Sequence, residues 1–253
     1  MSVIRLATGT VLVLVMSACT ATTPPATAAP TVAAAIPTIA PTAAPTATPA
    51  PSPTPAASPT VNPLAVPAIP APVAVSLDAK TTAFGVFDVT NPTCAGRPEC
   101  AASVPKIAAL LQKARAAGVL VLYSSTSPTG TFPAEIAPRA TDTVLQPLAG
   151  IADLFVRTST GTNVDQVLKE KRITTLLMVG TRSNGVVLYT AFAANIRGYT
   201  VAVAVDGISG TLPVENNLTM WQLLNQPGFT NADNKPLAEK LVTLTKGDLV
   251  TFK

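Results

Sequence analysis

The chain of 253 residues contains no histidine. That absence excludes Ser-His-Asp and Cys-His catalytic machinery, as well as any metal site built on imidazole. Charged residues are also absent from positions 20–75, where 15 of the 25 prolines lie among alanines and threonines. Such a segment buries too little apolar surface to offset the entropy lost on ordering. We therefore predict a disordered tether over residues 19–75, and we expect neither a metal nor another cofactor.

The first 18 residues predict an export signal. One positive charge, at Arg5, precedes an apolar run over residues 6–18 that is too short to span a bilayer as a helix. The run ends in MSAC, and the small residues before Cys19 resemble the lipobox of bacterial lipoproteins. The resemblance implies cleavage before Cys19, lipidation of its sulfur, and a membrane-anchored protein facing the periplasm or the cell exterior. An ordinary signal peptide with an incidental cysteine is the less favoured alternative.

Residues 76–253 are long enough for one domain with an ample core. This segment carries 16 basic and 13 acidic residues. The excess of positive charge is too small and too scattered to predict binding of nucleic acid.

Two cysteines remain in the domain, Cys94 and Cys100, in the segment NPTCAGRPEC. On an exported chain two thiols so close together are expected to form a disulfide. The alternative, in which Cys94 is a displaced nucleophile, is less favoured because a neighbouring thiol outside the cell favours oxidation.

Helical and extended patterns alternate along the domain. Apolar runs at 81–89, 119–125, 173–180 and 199–207 predict buried strands, and DLFVR at 153–157 is a shorter strand candidate. Helices are expected from Ser103 as N-cap to Gly118, from a capping box that pairs Thr162 with Asp165, and from about 184 to 197 until Gly198. The last helix is apolar nearly all round, so it should be covered on several sides. This order predicts an α/β three-layer sandwich, a mostly parallel sheet with helices on both faces.

Three stretches follow one another in the domain: FDVTN, KIAALLQKARAAGVLVLYSS and FVRTSTGTNVDQVLKEKRITTLLMVGTRSNGVVLYTAFAANIRGYTVAVAVDGISG. In this order they resemble the isochorismatase-like cysteine hydrolase superfamily over nearly all of residues 80–210. The T-x-x-D-x-x-L spacing from Thr162 and the run G-x-x-[ST]-N-x-x-V-L-x-T-A are its most specific parts. The resemblance implies the fold already predicted and a site at the carboxyl ends of the strands.

The family's usual triad is an aspartate after the first strand, a lysine on the third and a cysteine at the start of the helix after the fourth. Residue by residue, these positions fall on Asp88, Arg157 and Val186. Valine has no nucleophilic atom, and arginine stays protonated, so it does not shuttle a proton as a lysine of lowered pKa does. The resemblance also implies a cis peptide between Thr181 and Arg182.

The turn before the last helix is also the predicted ligand-binding segment, formed by Arg182, Ser183, Asn184 and Gly185. Outward-pointing amide groups at Gly185 and the helix start, with the helix dipole and Arg182, would favour a small anion. In the opposing interpretation side chains such as Val186 and Tyr189 fill the cleft. Ser183 has a hydroxyl but no evident base, and we expect it to be the N-cap.

Two functions are compatible with this pattern. The first is a binding or scaffold pseudoenzyme for a small anionic ligand or a partner protein, which includes a second copy of the chain. The second is a hydrolase of a small amide or vinyl ether in which Asp88 activates water without a cysteine. An ion pair between Asp88 and Arg157 would hold the carboxylate in place and favours the first.

Overall fold

The computed structural model describes residues 68–126, 130–156 and 158–253, and the structural statements below concern those ranges. Its strands are β1 (Val75–Leu77), β2 (Thr82–Phe87), β3 (Leu120–Ser124), β4 (Thr143–Leu145), β5 (Thr175–Thr181), β6 (Thr200–Ser209), β7 (Asn225–Gln226), β8 (Phe229–Thr230), β9 (Val242–Thr245) and β10 (Val250–Phe252). Its α-helices are α1 (Asn91–Cys94), α2 (Pro98–Ala116), α3 (Val164–Glu170), α4 (Leu188–Ile196) and α5 (Pro213–Leu224).

A six-stranded sheet in the order β4-β3-β2-β5-β6-β9 forms the centre of the domain. Every neighbouring pair in this sheet is parallel. The parallel sheet predicted from the sequence is therefore confirmed. All the carboxyl ends of its strands lie at one edge, which is where parallel sheets of this kind bind ligands.

Alternate residues of each central strand face opposite layers. Phe84 and Val86 of β2 belong to a core cluster with the apolar side of α2. Ala83 and Phe87 of the same strand belong to a second cluster, which contains side chains of α3, α4 and α5. Because both faces are covered by helices, the strands need apolar residues at every position, as the sequence shows.

Helix α2 begins six residues earlier than the sequence predicted, with Arg97 in the N-cap position instead of Ser103. Pro98 occupies its first position, where the missing N–H and the fixed φ of proline are favourable. Ser103 is not the N-cap, because it lies inside the helix and its Oγ donates to the carbonyl oxygen of Cys100 at 2.8 Å. The end of the helix is as predicted, since Gly118 follows it with φ +75°.

Two predictions for the segment 153–170 are wrong. Residues 153–156 form a turn instead of a strand, because Oδ1 of Asp153 accepts a hydrogen bond from the amide of Phe155 at 2.8 Å. Asn163, not Thr162, caps α3, and its Oδ1 accepts from the amide of Gln166 at 2.9 Å. Arg157 lies outside the described residues.

Two short pairings lie outside the central sheet. Strand β1 pairs in parallel with β10, and β7 forms an antiparallel hairpin with β8. No helix in the described part of the chain combines the length and hydropathy that a membrane span requires.

Candidate active-site cleft

A cavity of about 300 Å³, here called the Asp88 cleft, lies at the carboxyl ends of β2, β3 and β5. Its walls come from the strand ends, from α1 and the residues after it, from the loop 150–152 and from the turn before α4. The lining residues are Asp88, Thr93, Arg97, Thr126, Gly150, Ile151, Ala152, Thr181, Arg182, Gly185 and Val186.

Asp88 is held in the wall of the cleft by the neighbouring strand. Its amide donates to the carbonyl oxygen of Ser124 at 3.0 Å, and the hydroxyl of Ser124 donates to Oδ1 of Asp88 at 2.7 Å. The backbone at Asp88 is left-handed, with φ +56°, a conformation that aspartate tolerates better than most residues. Burial raises the pKa of Asp88 to about 6, and the hydrogen bond from Ser124 opposes that rise.

Val186 lies in the same cleft as Asp88, with 4 % of its surface exposed. Tight packing at the end of β5 fixes the turn that carries it. A Cβ at Gly180 would come within 2.7 Å of the carbonyl oxygen of Phe87 and 3.1 Å of a methyl group of Val187. Glycine at position 180 therefore allows the turn that carries Val186 to approach β2 closely.

The turn itself spans Ser183–Val187 and is a wide helical turn that leads directly into α4. The peptide between Thr181 and Arg182 is cis, as the resemblance implied. The amides of Gly185 and Val187 both donate to the carbonyl oxygen of Arg182, at 3.2 and 3.4 Å. The expectation that the Gly185 amide points outward is therefore wrong, because that donor is used within the turn.

The hydroxyl groups of Thr181 and Ser183 are both buried near the turn. Oγ1 of Thr181 donates to the carbonyl oxygen of Ser209 at 3.0 Å and accepts from the hydroxyl of Ser209 at 2.8 Å. Ser183 makes no capping hydrogen bond, so the N-cap prediction is wrong. Its Oγ is buried, has no hydrogen-bond partner within the described ranges, and is not part of the cleft wall.

Arg182 and Asn184 both lie close to Glu215 in the first turn of α5. The pKa of Glu215 is held below its usual range, first by hydrogen bonds from the amides of Thr211 and Leu212, then by the charge of Arg182 and the side chain of Asn184. Arg182 is exposed and lines the mouth of the cleft, whereas Asn184 is not one of the lining residues.

Arg97 is a cleft residue that the sequence did not reveal. It lines the cavity, and its Nη1 is buried without a hydrogen-bond partner among the described residues. It lies between Cys94 and Cys100, which are joined in the predicted disulfide. The spacing of the two cysteines indicated a closed loop, but not that this loop covers the end of the sheet.

A second and larger concavity, the α4–α5 groove, has a volume of about 560 Å³. Its lining is mainly apolar and includes Leu188, Phe192 and Trp221, with Asp153 and Arg197 among the polar members. Tyr189 and Ile196 of α4 are 56 % and 59 % exposed. The prediction that this helix is covered on several sides is therefore wrong for the side that faces the groove.

The isochorismatase domain model matches residues 82–232 of the chain. An isochorismatase family protein from Burkholderia thailandensis has a similar structure, with 20 % identity and a TM-score of 0.53 over 70 % of this chain and 96 % of its own. N-carbamoylsarcosine amidase from Thermoplasma acidophilum is similar at 21 % identity and a TM-score of 0.51, over 66 % and 97 % of the two chains. Nicotinamidase from Bacillus subtilis is similar at 15 % identity and a TM-score of 0.53, over 66 % of this chain and 99 % of its own. No curated protein matches the chain.

Proposed function

Since the chain belongs to the isochorismatase family, we propose that it is a catalytically degenerate member that binds a small anionic ligand in the Asp88 cleft. One observation carries the proposal: the residue that faces Asp88 from the start of the helix is Val186, while the arginines 97 and 182 line the same cavity. A site of this composition retains the charge needed for binding but has no thiol for covalent catalysis.

The hydroxyl groups of Thr181 and Ser183 do not replace the missing thiol. The Thr181 hydroxyl is hydrogen-bonded on both sides to Ser209. The Ser183 hydroxyl is absent from the lining, and no histidine exists to serve as a base for either. A hydroxyl without an adjacent base is a weak nucleophile at neutral pH.

The size and charge of the cleft fit a small carboxylate. A volume of about 300 Å³ corresponds to roughly ten groups the size of a water molecule, which occupies about 30 Å³ in the liquid. A ligand such as benzoate has a comparable number of non-hydrogen atoms. Arginine side chains favour carboxylates because the guanidinium donates two parallel hydrogen bonds to them.

Thermal shift measurements with acetate, benzoate, succinate and benzamide test the binding function. We expect benzoate to raise the melting temperature in proportion to the logarithm of its concentration, because a ligand that binds only the folded state stabilises it by mass action. A chain whose melting temperature is unaffected by every carboxylate of the panel would refute the proposal.

The substitution Val186→Cys tests whether position 186 corresponds to the cysteine position of the family. A sulfur at this position would lie near the start of a helix and share the cleft with Arg97 and Arg182, and such surroundings lower a thiol pKa. A pKa lower by one unit would increase the thiolate fraction at neutral pH about tenfold. We expect iodoacetamide to alkylate the variant faster than a free model thiol, and an unreactive sulfur would show that position 186 does not face an accessible cleft.

Non-covalent hydrolysis is the second candidate, because the pKa of Asp88 is raised to about 6 and Asp88 shares an open cleft with Arg182. In this reaction the carboxylate of Asp88 would take a proton from water while the oxygen of that water adds to an amide carbonyl; the tetrahedral intermediate would then collapse with cleavage of the C–N bond, as Asp88 returns the proton to the leaving nitrogen. Hydrolysis of small amides that is insensitive to iodoacetamide and is lost in Asp88→Asn would support this candidate. Its absence at high protein concentration would leave the binding function alone.

The cellular location is part of the proposal. A lipid on Cys19 would hold the mature chain at a membrane, and stable anchoring requires more than one acyl chain. We expect the variant Cys19→Ser to appear in the soluble fraction while the unmodified chain sediments with membranes. Retention of the variant in the membrane fraction would contradict lipidation at this residue.

A further inference from the structure

The segment between the two domain cysteines fixes the backbone of Arg97 from both sides. The disulfide joins Cys94 to Cys100, and the amide of Arg97 donates to the carbonyl oxygen of Cys94 at 2.9 Å. Pro98 follows at once and opens α2. A residue before proline is restricted to extended conformations, and Arg97 has φ −117° and ψ 95°. The position of this arginine is therefore determined before any ligand binds.

The side chain of Arg97 lines the cleft and has one unused donor, which is buried. Its Nη1 is buried and lacks a hydrogen-bond partner in the described part of the chain. Within those residues, no ion pair joins Asp88 to Arg97 or to Arg182. Arg97 lines the cavity, and a buried cationic N–H without an acceptor is unfavourable, so a small shift of this guanidinium toward an anion in the cavity would pair a donor that is otherwise unused.

The other cation of the cleft is less suited to the same role. Arg182 is exposed at the mouth of the cleft, and it lies close enough to Glu215 for its charge to lower the pKa of that carboxyl group. Its charge is screened by water and partly offset by that neighbour. Arg97 is the half-buried guanidinium, and a charge-assisted hydrogen bond is stronger where water is excluded.

We propose that Arg97 binds the carboxylate group of the ligand, that the Cys94–Cys100 disulfide presents it to the cleft, and that the ligand class is small monocarboxylates rather than neutral amides. This inference rests on the proposed binding function. It assigns a role to a loop that lies outside the family triad. It also makes the disulfide part of the binding site. The closed loop holds the backbone of Arg97 in place before the ligand binds, so less conformational entropy is lost on binding.

Calorimetric titration of the full-length chain with benzoate, and with benzamide as the neutral analogue of the same shape, tests the assignment. We expect benzoate to bind more tightly than benzamide, and Arg97→Gln to weaken benzoate binding about tenfold to a hundredfold. Benzamide affinity should change little. Arg97→Lys should recover part of the benzoate affinity, because it keeps the charge but not the two-pronged geometry. The matched control is Arg139→Gln, an exposed arginine outside the cleft, which should bind benzoate as the unmodified chain does.

The double variant Cys94→Ser with Cys100→Ser tests the role of the disulfide. We expect it to bind benzoate several-fold more weakly, and we expect the loss to vanish when Arg97 is already glutamine, because the two changes act through one interaction. If the disulfide served stability alone, its removal would leave the benzoate affinity of the folded chain unchanged in both backgrounds, and this result would overturn its role in binding.

The outcomes separate the two proposals. Benzoate binding by Arg97→Gln within about twofold of the unmodified chain would overturn the assignment of Arg97 while the binding function stands, since a lost charge-assisted hydrogen bond changes affinity by far more. Failure of the unmodified chain to bind any small carboxylate would overturn the binding function, and the assignment with it.

Discussion

The Asp88 cleft and the α4–α5 groove differ in almost every property that is used to recognise a binding site. The groove is the larger, at about 560 Å³ against 300 Å³, and its walls are mainly apolar. The cleft lies at the carboxyl ends of the strands and contains a buried carboxyl group with two arginines. Size and apolar character favour the groove, whereas topology and titratable groups favour the cleft. We therefore propose the Asp88 cleft as the binding site because of its position and its charged groups, although the groove has the larger volume.

The aspartates of the two concavities show the same contrast. Burial raises the pKa of both Asp88 and Asp153. Asp153 is compensated by a hydrogen bond from the amide of Phe155 and by the charge of Arg197. Asp88 has the hydroxyl of Ser124 as its compensating partner, and its pKa remains at about 6. The cleft therefore holds a carboxyl group that is kept in an unfavourable environment, which is a common property of functional sites.

The largest expected effect concerns the stability of Asp88→Asn. Folding raises the pKa of residue 88 from 3.8 to about 6, so ionisation of Asp88 lowers the free energy of unfolding by about 3 kcal/mol at pH 7. This contribution is nearly absent below about pH 3, where the carboxyl group is protonated in both states, grows between about pH 4 and pH 6, where the unfolded chain is ionised and the folded chain is not, and is complete above about pH 6. Asparagine tolerates the left-handed backbone and still accepts from Ser124. Urea denaturation should therefore show stabilisation by about 3 kcal/mol at pH 7 and by less than about 1 kcal/mol at pH 4.

Asp153→Asn is the matched control for this measurement. Because the carboxylate of Asp153 is compensated within the groove, we expect a much smaller change between the two pH values. Equal effects of the two substitutions would remove the contrast between the two concavities.

The next effect is the loss of the disulfide. Replacing Cys94 and Cys100 by serine should lower the free energy of unfolding by about 2 kcal/mol, because so short a loop constrains the unfolded chain only modestly. Trp221 is the only tryptophan of the chain and lines the groove, so its fluorescence in the folded state should be unchanged. A shifted emission spectrum before unfolding would show that the loop supports the groove as well as the cleft.

A third effect is the pH dependence of carboxylate binding. Protonated Asp88 can donate a hydrogen bond to a bound carboxylate, whereas ionised Asp88 repels it. With a pKa of about 6 for Asp88, benzoate affinity should fall about tenfold between pH 5 and pH 7. Titrations of Asp88→Asn at both pH values should show no such fall. An affinity that rises with pH in the unmodified chain would contradict this prediction.

The smallest effect is expected in the groove. Tyr189 is largely exposed, so Tyr189→Ser should change the free energy of unfolding by no more than about 0.5 kcal/mol. Benzoate affinity should be the same as in the unmodified chain, while Trp221 emission should shift because both residues line the groove. Loss of benzoate binding in this variant would place the ligand in the groove.

The sequence predicted the parts of the fold that depend on local patterns. The buried strands, the parallel sheet and the turn at Gly180–Gly185 follow from apolar runs and glycines, and the structure confirms them. The prediction was wrong at Ser103 and at residues 153–156, where a proline and an aspartate determine the backbone more strongly than the apolar pattern does.

The composition of the cleft was harder to predict from the sequence. Asp88, Arg182 and Val186 follow from the family resemblance, and the structure places all three in one cavity. Arg97 comes from a loop whose path across the sheet depends on long-range packing, and no local pattern encodes that path. Ser183 and Asn184 were predicted because they are adjacent to Arg182 along the chain. In a helical turn, however, residues three and four apart share a face, so Gly185 and Val186 line the cleft with Arg182, and Ser183 and Asn184 do not.

The pairing of β1 with β10 brings the two ends of the folded domain to one place on its surface. The amide of Lys253 donates to the carbonyl oxygen of Leu77, and the amide of Ala79 donates to that of Lys253, at 2.9 and 3.0 Å. Because the two strands are parallel and three residues long, the end of β10 lies about 10 Å from the start of β1, and a few added residues would join these two points. The domain is a natural scaffold for circular permutation, in which new termini are opened in an exposed loop while the sheet and the cleft keep their connectivity.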